Sequence, residues 1–107
     1  MIENRDIMII TETIKSAIPV ERIYLFGSHA KGTQTKDSDY DFYLLIPDNG
    51  IKPIDAMREA RFSLIPLKRK IPIDILADYI SRFEQRSKFN TIERKIANEG
   101  VILYERI

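Results

Sequence analysis

The sequence predicts an α/β (α+β) fold, a small mixed sheet of about four strands with helices packed on it. Short β-rich runs alternate with segments of helical periodicity along the whole chain, and glycine or proline separates most of them. The chain has 107 residues, of which 44% are hydrophobic and 31% charged, a composition typical of ordinary globular proteins. We therefore expect residues 1–107 to form a single domain.

The first half of the chain predicts one helix and two strands. Isoleucines at helical spacing indicate the helix, namely Ile7, Ile10, Ile14 and Ile18, and Pro19 ends it. The run RIYLF predicts a strand over Arg22–Phe26, and Gly27 closes it before a short helical turn at Ser28–Lys31. A polar, turn-forming stretch then leads to a second strand over Asp39–Ile46, which ends at the turn formed by Pro47 and the three residues after it.

The second half predicts a helix, a strand, a long helix and a last strand. A helix opens near Pro53 and ends before Pro66, and IPIDIL predicts a strand over Ile71–Leu76. One helical pattern then extends over Asp78–Asn98, before Gly100 and a strand over Val101–Tyr104. Two features favour this long helix: a possible capping box, Ser81 with Glu84, and an apolar face formed by Phe89, Ile92 and Ile96.

Composition excludes several classes of function. The chain has no cysteine, so it has neither a disulfide framework nor a thiolate metal site, and the cytoplasm is the expected compartment. No apolar run approaches the roughly 20 residues that cross a bilayer, so we expect no membrane association. The net charge of +1 argues against generic nucleic-acid binding, and the basic cluster Lys68–Lys70 is interpreted as a solvated turn.

Two carboxylates lie at the start of the second predicted strand. Side chains at i and i+2 of a strand share a face, so Asp39 and Asp41 point together while Tyr40 and Phe42 point to the core. Like charges this close need a cation, and paired carboxylate oxygens suit Mg²⁺ or Mn²⁺. The sequence therefore predicts a divalent metal at this point.

Gly27 and Ser28 lie where the first strand ends. Glycine lets backbone approach a ligand closely, and backbone N–H groups with a serine hydroxyl suit phosphate oxygens. The ten residues between Ser28 and Asp39 are enough to leave one strand and return along its neighbour. A phosphate cradle beside a metal predicts a bound nucleotide.

Asp74 is a third acid, placed between Ile73 and Ile75 in an otherwise apolar strand. If this strand lies beside the one carrying Asp39 and Asp41, its carboxylate is placed to bind a second metal or to accept a proton. Such a site favours phosphoryl or nucleotidyl transfer.

The remaining polar residues of this region fit ordinary turn, loop or surface positions. Asp37 and Ser38 are typical of turns. His29 is the only histidine, so a zinc role is not expected and we assign it to the surface. Lys31 and Lys36 lie in a polar loop, where they are either ordinary surface lysines or charges that screen phosphate.

Taken in order, these motifs resemble the DNA polymerase β-like nucleotidyltransferase superfamily, and most closely its minimal nucleotidyltransferases. The resemblance rests on GSHAKG at the first turn, SDYDFYLL, IPIDIL and the ending EGVILYE, and it covers nearly the whole chain. It implies that Gly27 and Ser28 hold the triphosphate and that Asp39 and Asp41 bind the metals. It further implies that Asp74 completes the site and activates the acceptor hydroxyl.

The same resemblance implies transfer of a nucleoside monophosphate, with ATP as the expected donor, to a hydroxyl and release of pyrophosphate. In this family, arginine is also common at the position of Lys31. Lysine keeps the positive charge for a nucleotide contact but lacks the planar guanidinium group of arginine. Minimal members of this kind typically pair with a helical HEPN-domain protein as the antitoxin of a toxin–antitoxin system. The alternatives are a non-catalytic subunit of the same fold that masks its partner, and an antibiotic adenylyltransferase. Both a homo-oligomer and a hetero-oligomer are compatible with the sequence.

Overall fold

The computed structural model describes residues 4–68 and 71–107, which form a four-stranded mixed sheet with helices on both faces. The predicted fold class is confirmed. In chain order the elements are α1 (Arg5–Ala17), β1 (Arg22–Phe26), α2 (Ser28–Lys31), β2 (Tyr40–Ile46), α3 (Pro53–Leu64), a 3₁₀ turn (Ile65–Leu67), β3 (Ile73–Tyr79), α4 (Ile80–Arg86), α5 (Ile92–Glu99) and β4 (Val101–Glu105).

The sheet has the strand order β3-β2-β1-β4. Strand β1 runs antiparallel to both β2 and β4, whereas β2 and β3 are parallel. In this register Asp41 of β2 lies opposite Phe26 on one side and opposite Asp74 on the other. Strand β2 therefore brings the end of β1 and the start of β3 together.

Alternate residues of β2 face two separate apolar clusters. Tyr40, Phe42, Leu44 and Ile46 pack with α1 and α3 on one face of the sheet. On the other face, Tyr43 and Leu45 pack with Phe83 of α4 and Ile96 of α5. Asp39 and Asp41 precede Tyr43 at the same spacing of two, so they belong to the face that α4 and α5 cover.

Helix α1 shows how local sequence and packing agree. The Asn4 side chain caps it by accepting a hydrogen bond from the backbone N–H of Ile7 at 3.2 Å. Ile7, Ile10 and Ile14 are buried against the sheet, as their spacing predicted. Full burial of each such side chain contributes about 1.5 to 3 kcal/mol.

The single helix predicted over Asp78–Asn98 is wrong. Strand β3 continues through Asp78 to Tyr79 because its parallel ladder with β2 runs over seven residue pairs. Helix α4 then ends at Arg86, and α5 starts after Thr91, whose hydroxyl oxygen accepts a hydrogen bond from the N–H of Arg94 at 3.2 Å. Two helices with a turn between them replace the long one.

The details attached to that long helix are wrong as well. The N-cap residue of α4, Tyr79, makes no side-chain capping bond. Ser81 instead donates its backbone N–H to the Asp48 carboxylate at 3.2 Å, so the predicted capping box does not form. Of the predicted apolar face only Ile96 is buried, since Phe89 is 60% exposed and Ile92 is 44% exposed.

Three of the other strand ends differ from the prediction by one or two residues, and the remaining strand ends are as predicted. Strand β2 begins at Tyr40 rather than Asp39, and β3 begins at Ile73 rather than Ile71. In the basic cluster, Arg69 and Lys70 lie outside the described residues. Within the described ranges, every helix is too short or too polar to serve as a transmembrane span.

Candidate functional site

Two carboxylates face each other where β2 and β3 begin. Asp41 and Asp74 are direct partners in the parallel ladder, and the N–H of Tyr40 donates to the carbonyl of Pro72 at 3.0 Å just before them. Asp41 is half-buried and the rest of β2 is fully buried; Asp39 is half-buried and Asp74 exposed. The site therefore lies at the open end of the sheet, beside the core.

The charges of these acids act on one another. Burial raises the pKa of Asp41 above its ordinary value, and the negative charges of Asp74 and Asp39, with a hydrogen bond to Asp74, raise it further. The nearby His29 acts in the opposite direction on the same pKa. All three acids are thus close enough to interact, and the arrangement concentrates negative charge at one point.

Gly27 has a backbone that only glycine adopts readily. Its φ of 75° and ψ of −157° lie in a region closed to side chains, directly after Phe26, the residue that pairs with Asp41. A Cβ atom at this position would overlap Oδ2 of Asp41. The glycine therefore lets the Asp41 carboxylate lie directly against the β1–α2 turn.

Ser28 opens the short helix α2. The carbonyl of Gly27 accepts hydrogen bonds from the N–H groups of Ala30 and Lys31, both at 3.2 Å, which fixes the turn. Among the described residues the Ser28 hydroxyl makes no hydrogen bond, although its backbone carbonyl accepts the N–H of Thr33 at 3.0 Å. Its side chain is therefore available to a ligand.

Lys31 makes a contact that the sequence did not indicate. Its ammonium group lies 3.2 Å from the carboxylate of Glu99 at the end of α5, with both side chains about half exposed. The ion pair connects α2 to α5. In this arrangement the charge of Lys31 is compensated by Glu99.

His29 is more involved in the site than its predicted surface position indicated. It is half-buried, its ring lies 4.5 Å from the ring of Tyr40, and its Nε2 is 3.2 Å from the carbonyl oxygen of Ser38. Because a carbonyl only accepts, Nε2 carries the proton in this hydrogen bond. Its position two residues after Gly27, in the turn that approaches the acids, was the available sequence signal.

The donor chemistry of the acids suits a hard divalent cation. Among the described residues, no three carboxylate or imidazole side chains stand together as a ready-made metal cluster. Asp41 and Asp74 nevertheless offer paired oxygens in a partly buried setting, and a cation would relieve the repulsion that raises the pKa of Asp41. The residues present therefore fit Mg²⁺ or Mn²⁺ through the paired oxygens of Asp41 and Asp74.

Comparisons with known proteins identify the family of this chain. Residues 9–107 match the family model described as polymerase beta, nucleotidyltransferase. No curated protein sequence is significantly similar to the chain.

Several solved structures share the fold. A candidate nucleotidyltransferase from Sulfolobus solfataricus is 18% identical with a TM-score of 0.65, over 95% of this chain and 79% of that one. A chain of a toxin–antitoxin structure with AMP-PNP is 21% identical with a TM-score of 0.63, over 96% of this chain and 75% of that one. A variant of the toxin–antitoxin MntA–HpeT with two aspartates changed to glutamate gives 21% identity and a TM-score of 0.63, over 97% and 75%.

Proposed function

Because this chain belongs to the polymerase beta nucleotidyltransferase family, we propose that it is an Mg²⁺-dependent nucleotidyltransferase that moves AMP from ATP to a hydroxyl of a macromolecule. In this proposal residues 1–107 act as one catalytic domain in the cytoplasm. Asp39, Asp41 and Asp74 are its metal-binding and catalytic residues.

One observation carries the proposal. Asp41 pairs with Asp74 in the parallel ladder, and its carboxylate lies against Gly27. The backbone conformation of Gly27 and its missing Cβ leave room for that carboxylate. A turn that is open to phosphate and lies against paired acids is what transfer at phosphorus requires. The resemblance to a toxin–antitoxin structure that contains AMP-PNP, an ATP analogue, favours ATP as the donor.

Each residue has a separate task in this reaction. Ser28 and the backbone at Gly27 orient the triphosphate, while Asp39 and Asp41 hold the divalent ions. Asp74, the more exposed partner of Asp41, accepts the proton of the acceptor hydroxyl. The acceptor oxygen forms a bond to the α-phosphorus, the bond from that phosphorus to the bridging oxygen breaks, and pyrophosphate leaves.

A bound divalent cation would neutralise charge on the phosphates and align the attacking and leaving oxygens. The protein supplies the rest. The ladder between β2 and β3 places Asp41 beside Asp74, and the missing Cβ of Gly27 lets the Asp41 carboxylate lie against the β1–α2 turn.

We further propose that the acceptor is a HEPN-domain toxin and that this chain is its antitoxin in a hetero-oligomer. The fold shared with chains of toxin–antitoxin structures supports a toxin partner. The HEPN identity rests on the sequence resemblance. A modified hydroxyl on the partner would then account for neutralisation.

The test is transfer of label from ATP carrying ³²P at the α-phosphate, with the chain, its partner and Mg²⁺ present. We expect label on the partner with the wild-type chain and none with γ-labelled ATP. Asp74→Asn should lower the rate by about 10²- to 10⁴-fold, because the proton acceptor is lost.

Asp37→Asn is the matched control, since Asp37 is an exposed aspartate in the loop just before the site. It should transfer label at the wild-type rate. Neutralisation of the toxin that persists without any transfer would instead assign the chain a masking role. Label appearing on an aminoglycoside but not on the partner would indicate a small-molecule acceptor.

A further inference from the structure

A cavity of about 430 Å³ lies between α2 and α5, and the reaction outlined above assigns it no role. Gly27 and Ser28, the residues assigned to the triphosphate, form part of its wall. A ligand whose phosphates lie at this turn therefore has room to extend between the two helices. The volume falls within the range of pockets that bind small molecules and cofactors.

The uncharged wall of this cavity is largely apolar. Phe26, Ala30 and Ile96 line it from the sheet and the two helices, and Ile96 is fully buried. Ile92, on the first turn of α5, also lines it and remains 44% exposed. An exposed isoleucine beside a cavity offers apolar surface to a flat ligand.

The charged part of the lining offers both hydrogen-bond donors and an acceptor. Lys31 and Glu99 form their ion pair across the two helices, and Lys95 lies one turn before Glu99 on α5. The ammonium groups donate and the carboxylate accepts. A heterocyclic base has the matching chemistry, because its faces are apolar and its edge carries both donors and acceptors.

We propose that the cavity between α2 and α5 binds the adenine base of the nucleotide, with Ile92 as a residue that determines affinity for the base. This inference rests on the proposed function, because it requires the phosphates to lie at Gly27 and Ser28. It assigns Lys31 and Glu99 to the edge of the base rather than to the triphosphate.

The test compares two ligands in the presence of Mg²⁺ by calorimetry: ATP, and inorganic tripolyphosphate, which has no base. Ile92→Trp fills the cavity from an exposed position. We expect it to weaken ATP binding by about tenfold or more and to leave tripolyphosphate binding unchanged. Ile92→Ala, which introduces no new atoms, should weaken ATP binding in the same selective way but less.

Ile54→Trp is the matched control, since Ile54 is an exposed isoleucine on α3 that lies outside this cavity. It should leave both affinities at the wild-type level. ATP binding unchanged by both Ile92 variants, or an equal loss for the two ligands, would overturn the assignment of the base. If the wild-type chain binds neither ligand, the proposed function itself fails, and this inference fails with it.

Discussion

At the scale of single residues, Gly27 and Asp41 determine each other's positions. Asp41 reaches the β1–α2 turn only because Gly27 lacks a Cβ, and the turn keeps its conformation only because glycine tolerates a φ of 75° with a ψ of −157°. The same geometry brings the carboxylate next to the place assigned to the phosphates. This pair therefore connects the backbone conformation of Gly27 directly to the site.

Gly32 allows these two effects to be separated. It also has a positive φ, 76°, but a Cβ there would meet nothing within 4 Å. Gly32→Ala should lower the free energy of unfolding by about 1 kcal/mol, because alanine adopts this left-handed backbone conformation less readily than glycine. Gly27→Ala should cost about 1 to 3 kcal/mol of strain in addition to the overlap with Asp41, and should abolish nucleotidyl transfer.

Urea unfolding of both variants, with the label-transfer assay in parallel, measures this difference. Equal stability of the two variants together with retained transfer by Gly27→Ala would show that the contact with Asp41 is unimportant.

The sequence singled out candidate residues for this site but did not indicate their contacts with other elements. Gly27, Ser28 and the three acids stand out because glycine before a serine and charges in apolar strands conflict with ordinary packing. The pairing of Lys31 with Glu99 and the packing of His29 on Tyr40 join residues of separate elements. No local pattern encodes such contacts, because they depend on how the elements meet.

At the scale of elements, a buried polar network attaches α5 to the sheet. Glu93 is 5% exposed, accepts a hydrogen bond from the Tyr43 hydroxyl at 3.1 Å, and pairs with Arg86 of α4 at 3.0 Å. Burial opposes ionisation of Glu93, yet the hydrogen bonds from Arg86, the backbone and Tyr43 lower its pKa below the ordinary value. Burial and the charge of Glu93 raise the pKa of Tyr43.

This network predicts a pH dependence of folding stability. Because the pKa of Glu93 is lower in the folded than in the unfolded chain, its contribution is fully present above the ordinary glutamate value, about 4.3. That contribution is lost as the pH falls through the lowered pKa. Glu93→Gln should therefore flatten the decline of melting temperature with pH below about 4.3.

Glu84→Gln is the control, because Glu84 is an exposed glutamate on α4. Thermal unfolding between neutral and acidic pH should give it the wild-type profile. Tyr43→Phe should cost about 1 kcal/mol at neutral pH, since it removes one hydrogen bond to the buried carboxylate. An unchanged acid profile in Glu93→Gln would contradict this account of the network.

The same region shows why the element prediction over Asp78–Asn98 failed. Asp78 looked like the start of a helix, but it pairs with Leu45 in the parallel ladder, a contact between residues far apart in the chain. The break after Arg86 depends on Thr91, whose hydroxyl caps α5 and also donates to the carbonyl of Arg86 at 2.8 Å. Helical spacing alone does not reveal either interaction.

At the scale of the whole molecule, the two faces of the sheet have different roles. The cluster formed with α1 and α3 provides most of the buried apolar side chains, and the face under α4 and α5 carries the acids and the cavity. This division explains why the fold class was predictable from apolar periodicity. It also explains why the site needed the strand order, which only the register of β1, β2 and β3 reveals.

The central proposal is that Asp39, Asp41 and Asp74 converge on one divalent-metal site beside Gly27. Uptake of Mn²⁺ by the chain, followed by electron paramagnetic resonance with a non-hydrolysable ATP analogue present, tests it most directly. We expect uptake by the wild-type chain and by Asp37→Asn, and a loss of uptake in Asp39→Asn, Asp41→Asn and Asp74→Asn. Uptake by all three of those variants equal to that of the wild-type chain would contradict the proposal.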